Sequence, residues 1–66
     1  MQKAKYSYKG AVLHFDRVVD ASWSGETMAV SEKQAISNLT YQFRKKFNYS
    51  ETASIRLLEK PIKEAS

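Results

Sequence analysis

The pattern of hydrophobic and polar positions along this chain changes period once, near residue 31. Before that point apolar residues recur at every second position, the spacing of a strand with one covered face. After it, Ala35, Ile36, Leu39, Phe43 and Phe47 recur at three- and four-residue intervals, which is one stripe of a helix. Ser31 stands where an N-cap belongs, and Gln34 three residues later completes a capping-box pattern. Asn48 tolerates the left-handed conformation that commonly ends a helix. A helix between Ser31 and Asn48 follows.

Within the strand-like half, the pairs Lys9-Gly10 and Ser24-Gly25 read as two-residue hairpin turns. Residues flanking such a turn share a face of the sheet. That rule puts Tyr6, Tyr8, Ala11, Leu13 and Phe15 together around the first turn, and Ala21, Trp23, Glu26, Met28 and Val30 together around the second. Arg17 interrupts the apolar odd positions between 11 and 23, so that stretch is either one long bent strand or is broken by a turn near Asp16-Arg17. Beyond the helix, Ala53, Ile55 and Leu57 alternate with polar residues as a last strand, which Pro61 stops. The expected fold class is α+β: a three- or four-stranded antiparallel sheet with one helix packed on one face, in the order β-β-β-α-β. Residues 3–60 form a single domain in this reading. Met1-Gln2 and residues 61–66 are loose ends.

Composition narrows the chemistry more than the architecture. A chain of 66 residues buries only about 60% of its unfolded surface, so its core must be well filled or shared with a second copy. With no cysteine and one histidine, disulfides and thiolate metal sites are excluded, and no cofactor is expected. The longest aliphatic run near the N-terminus, Ala11-Val12-Leu13, is far too short for a signal-peptide core or a membrane span. The expectation is a cytoplasmic protein with no membrane partner.

Charge supplies the first functional lead. The net charge of +4 is uneven: residues 1–9 carry +3, residues 10–30 carry −2, residues 31–50 carry +3, and the remainder balances. Folding that joined the two basic segments would create a face for DNA or RNA. Its phosphate contacts would be Lys3, Lys5, Lys9, Lys33, Arg44, Lys45 and Lys46. Tyr41, within helical reach of Arg44 and Lys45, would stack a base. A plainer role exists for Arg44, Lys45 and Lys46, because cations in the last turn of a helix gain about 0.3–1 kcal/mol each from its dipole. His14, Asp16 and Asp20 would share a face of a continuous strand. Residues two apart on a strand, as His14 and Asp16 are, lie about 7 Å apart, and this water-facing group has no nucleophile or glycine-rich cradle beside it. No enzymatic activity is expected from them.

The stretch from Trp23 to Phe43, with Tyr8 and Gly10 before it, resembles a group of small uncharacterised proteins encoded by prophages and conjugative elements of low-GC Gram-positive bacteria. The shared pattern falls here on Tyr8, Gly10, Trp23, Gly25, Glu26, Thr27, Ala29, Ser31, Glu32, Lys33, Ala35, Asn38 and Leu39, and the likeness covers most of residues 6–58. It implies an accessory protein of a mobile element and no particular chemistry. Ser31-Glu32-Lys33-Gln34-Ala35 is loosely similar to the sheet-to-helix junction of double-stranded-RNA-binding domains, although only Lys33 corresponds to their phosphate-binding lysines and their leading helix is missing. Integrase arm-binding domains are similar at the level of fold alone. Two functions are therefore expected in parallel. One is a nucleic-acid-binding accessory protein. The other is a protein-interaction module, a homodimer or host-factor binder acting through an exposed sheet edge or surplus aromatics.

Overall fold

A computed structural model of the protein describes residues 3–50 and 52–64; Met1, Gln2, Glu51, Ala65 and Ser66 lie outside the described residues. The elements are β1 (Ala4–His14), β2 (Arg17–Ala29), α1 (Glu32–Lys46), β3 (Ile55–Leu57) and β4 (Ile62–Lys63). All strand pairs are antiparallel, with β1 in the centre, β2 on one side, and both β3 and β4 pairing with β1. The expected class is therefore present: a small α+β domain with a four-stranded antiparallel sheet and one helix across it. Its strands fall differently along the chain, in the order β-β-α-β-β.

The difference originates at the two glycines. Neither turns the chain. The sheet runs straight through both, with Gly10 opposite Trp23 and Gly25 opposite Tyr8. Each glycine lies two residues after an aromatic on its own strand and leaves space for that ring. A Cβ on Gly25 would come within 2.6 Å of the Trp23 indole, and one on Gly10 within 3.1 Å of the Tyr8 hydroxyl. The actual reversal is at Phe15-Asp16, where both residues have positive φ (52° and 64°) between the paired His14 and Arg17. Left-handed geometry at both central positions is the form that suits the twist of a hairpin. Of the two alternatives for residues 11–23, the turn is therefore the one that forms, and the β1–β2 register shifts between Gly10 and Val12 and again between Val12 and Leu13. Asp20 Oδ1 accepts from the Ser22 amide at 3.1 Å within that irregular stretch.

Without a turn at Gly10, the parity of β1 never reverses. Tyr6, Tyr8 and Val12 are buried beneath the helix with Trp23 and Ala29, whereas Met28 and Phe15, expected in the core, are exposed. The helix brings Ala35, Leu39, Thr40 and Phe43 to the sheet. Ser31 Oγ accepts from the Gln34 amide, and Gln34 Oε1 accepts from the Val30 amide, so the capping box forms one residue wide of its ideal. Phe47, expected on the buried stripe, is the C-cap and is largely exposed. Asn48 is left-handed at φ 59°, as its position suggested.

Beyond the helix, β3 and β4 are two halves of one interrupted edge. The intervening segment bows away from β1, and the Tyr8 hydroxyl fills the gap, donating to Ala11 O and accepting from the Glu59 amide. Pro61 is buried and Ile62–Lys63 pair with Ser7 and Tyr6. The segment from Pro61 to Glu64 is consequently part of the sheet and not a loose tail. On the opposite edge, Gln42 donates to Glu26 O and Asn38 to Met28 O, so helix side chains occupy two outward carbonyls of β2.

Candidate nucleic-acid interface

Alternation along β1 divides the expected basic face in two, because Tyr6 and Tyr8 take the covered side. Lys5 points away from the helix and lies between Glu26 (2.7 Å) and Glu64 (3.6 Å). The hydrogen bond and charge of Glu26, followed by the charge of Glu64, hold its pKa above the ordinary lysine value. On the lysine side this pairing is lost as pH rises through that raised value. Lys9 shares the parity of Lys5, and exposed Lys3 precedes the strand. A hollow of about 420 Å³ beside them is lined by Lys9 and Lys60 but also by Glu26 and Glu59. Its charges balance, so it has no preference for an anion. Lys33 stands apart at the first turn of the helix, twelve residues and about 18 Å along the axis from Lys45.

The remaining candidates do converge. Tyr41, Arg44, Lys45 and Tyr49 line an open groove of about 320 Å³ at the C-terminal end of α1. Tyr41, Arg44 and Lys45 meet because they are three and four residues apart on a helix. Lys45 Nζ lies 5.9 Å from the centre of the Tyr41 ring. Tyr49 was not among the expected site residues. The helix terminator delivers it: with Asn48 left-handed, the Tyr49 amide bonds Arg44 O at 2.8 Å and folds the chain back beside the last turn. Arg44 is half-buried, and its Nε donates to Ala53 O at 2.9 Å. That bond fixes the side chain while leaving the terminal nitrogens of the fork for a ligand. Lys46 does not line the groove; its Nζ lies 5.8 Å from the centre of the exposed Phe47 ring.

Among the described residues, ion pairs engage only Lys5 and Arg56. Half-buried Arg44 and exposed Lys45 therefore stand beside two tyrosines with no ion-pair partner among the described residues, and exposed Lys46 follows in the same turn. The other constellation considered for chemistry disperses. His14 packs against Phe15 and Tyr49, Asp16 pairs with Arg56 at 3.4 Å, and Asp20 braces the irregularity of β2. No group of three or more His, Asp or Glu side chains among the described residues is placed to hold a metal ion. No helix there is long and apolar enough to cross a membrane. The chain matches no family model, no curated protein and no solved structure.

Proposed function

We propose that this protein is a non-enzymatic nucleic-acid-binding protein whose site is the groove at the C-terminal end of α1. Arg44, Lys45 and Lys46 contact phosphates, and Tyr41 offers a base-stacking surface. The observation that carries this reading is the convergence of Arg44 and Lys45 on a groove walled by Tyr41 and Tyr49, with exposed Lys46 in the same helical turn and none of the three in an ion pair among the described residues. Helix-dipole stabilisation accounts for cations in a last turn but not for a tyrosine on each side of them. Lys3, Lys5, Lys9 and Lys33 have no part in this site. The role in a mobile element rests on the sequence resemblance alone.

Fluorescence anisotropy with a labelled oligonucleotide at low salt tests the proposal. Lys45→Glu/Lys46→Glu is expected to abolish most of the affinity, while Lys33→Glu, at the far end of the same helix, leaves it nearly unchanged. A loss in Lys33→Glu half as large on a logarithmic scale, in proportion to its half-sized charge change, would reduce the effect to net charge and remove the groove from the account.

A second reading is favoured by the open face of the sheet. The chain exposes 4915 Å², against roughly 4,300 Å² for a compact protein of this mass. Met28, Val18 and Ile62 lie uncovered across the sheet from the helix. A homodimer formed through that face would bury about 800 Å² per subunit and would not compete for the groove. It predicts a melting temperature that rises with protein concentration. A sample that sediments as a monomer at high concentration, with a concentration-independent melting temperature, would dismiss it. The sheet edges are poor candidates, since β2 is capped by Gln42 and Asn38 and the other edge is short and interrupted.

A further inference from the structure

Phe15 is an aromatic residue where the fold gives least reason for one. It occupies the first position of the hairpin turn with φ 52°, a conformation that Asn and Gly adopt with far less strain. Its side chain is 72% exposed, so burial returns little for that strain. The turn itself is held in place by its neighbours. The Phe15 amide donates to Ser54 O, and Asp16 pairs with Arg56. The ring therefore projects from a fixed backbone.

Its neighbours connect it to the groove. The Phe15 ring centre lies 4.5 Å from that of His14, and His14 lies 5.0 Å from Tyr49, which is a wall of the groove. These spacings are those of aromatic rings in mutual contact. Phe15, His14 and Tyr49 make a continuous aromatic track from the hairpin tip into the cationic groove, with Tyr41 on its far wall. Arg44 and Lys45 supply the charge at the groove end, while at the turn Arg56 is paired with Asp16 and leaves Phe15 as the contact.

From this track we infer that the ligand is a single-stranded nucleic acid, with bases stacking on Phe15 at the hairpin tip as well as in the groove and the backbone running past Lys45. The inference rests on the proposed nucleic-acid function and assigns its substrate class. Unpaired bases present π-faces to such a track, whereas a duplex keeps its faces stacked inside and meets a protein with phosphates and groove edges. Stacking on an aromatic surface is tolerant of sequence, so little base preference is expected.

Phe15→Asn separates binding from stability because the two should move in opposite directions. Asn suits the left-handed position, so the melting temperature should rise. Affinity for a labelled single strand should fall by about 5- to 150-fold, the effect of losing one stacked base, with duplex affinity unchanged. Wild-type protein should also prefer the single strand to a duplex of the same length. If Lys45→Glu/Lys46→Glu weakens binding but Phe15→Asn leaves single-strand affinity intact, the track is wrong and the cationic groove stands. If wild-type protein binds neither strand form at low salt, the parent proposal and this inference fall together.

Discussion

Phe43→Ala is expected to cost about 3–5 kcal/mol of stability. A domain of 66 residues is held by about 3–10 kcal/mol in total, so this single truncation leaves it barely folded or unfolded. The reason is its place in the packing. Phe43 is 1% exposed, meets Trp23 edge-on at 5.4 Å, stacks on Tyr49 at 5.9 Å, and touches Phe47 at 4.6 Å. It joins the helix, the sheet and the turn that forms the groove, so its loss should also release Tyr49. Phe47→Ala lies on the same sequence stripe but removes an exposed ring, and should cost much less. Thermal unfolding followed by circular dichroism compares the two directly. Equal costs would mean that the helix stripe is buried through to its last turn, contrary to the packing described above.

Gly25→Val should carry the next largest penalty, about 1–3 kcal/mol, through overpacking. The backbone at Gly25 has no positive φ, so valine suits the strand locally. The cost is steric: the first added carbon already meets the Trp23 indole at 2.6–3.2 Å. That ring cannot retreat easily, because Tyr8 and Phe43 hold it at 6.2 and 5.4 Å. Gly10→Ala is the milder counterpart, since its nearest obstacle at 2.8 Å is the exposed carboxylate of Glu59. A double-mutant cycle with Trp23→Leu gives the decisive comparison. Most of the Gly25→Val penalty should vanish when the indole is absent. A penalty that persists would mean that the backbone itself requires glycine, as a turn would.

These glycines also explain what could be read from the chain and what could not. The helix was legible because its signals are local: Ser31 and Gln34 at one end, Asn48 at the other, and Ala35, Leu39 and Phe43 between them. The antiparallel sheet and the strand around Ile55 were legible from alternation. The hairpin was misplaced because Xaa-Gly pairs are common turn signals, while the real turn is built from Phe15 and Asp16, which carry no such mark. A different signal was available. An aromatic two residues before a glycine occurs in both strands, at Tyr8-Gly10 and Trp23-Gly25, and rings folded over glycines on one face produce that spacing.

The fate of the candidate site follows from strand alternation. With Tyr6 and Tyr8 on the covered face, Lys5 lies on the opposite face, where Glu26 and Glu64 neutralise it. Tyr41, Arg44 and Lys45 survived as a group because helical spacing alone brings them together. Tyr49 and Phe15 were not among the expected site residues because their positions depend on a helix terminator and a turn, whose outcome is tertiary.

The most direct test of the account is the salt dependence of wild-type binding to a labelled single strand, plotted as log affinity against log salt concentration. Each phosphate contact on a single strand contributes a slope of about −0.7. Phosphate contacts from Arg44, Lys45 and Lys46 therefore predict a slope near −2, and Lys45→Glu/Lys46→Glu should reduce it to about −0.7. A slope unchanged by that substitution, or no binding even at the lowest salt, would contradict the account and leave Arg44, Lys45 and Lys46 as the cationic end of a helix.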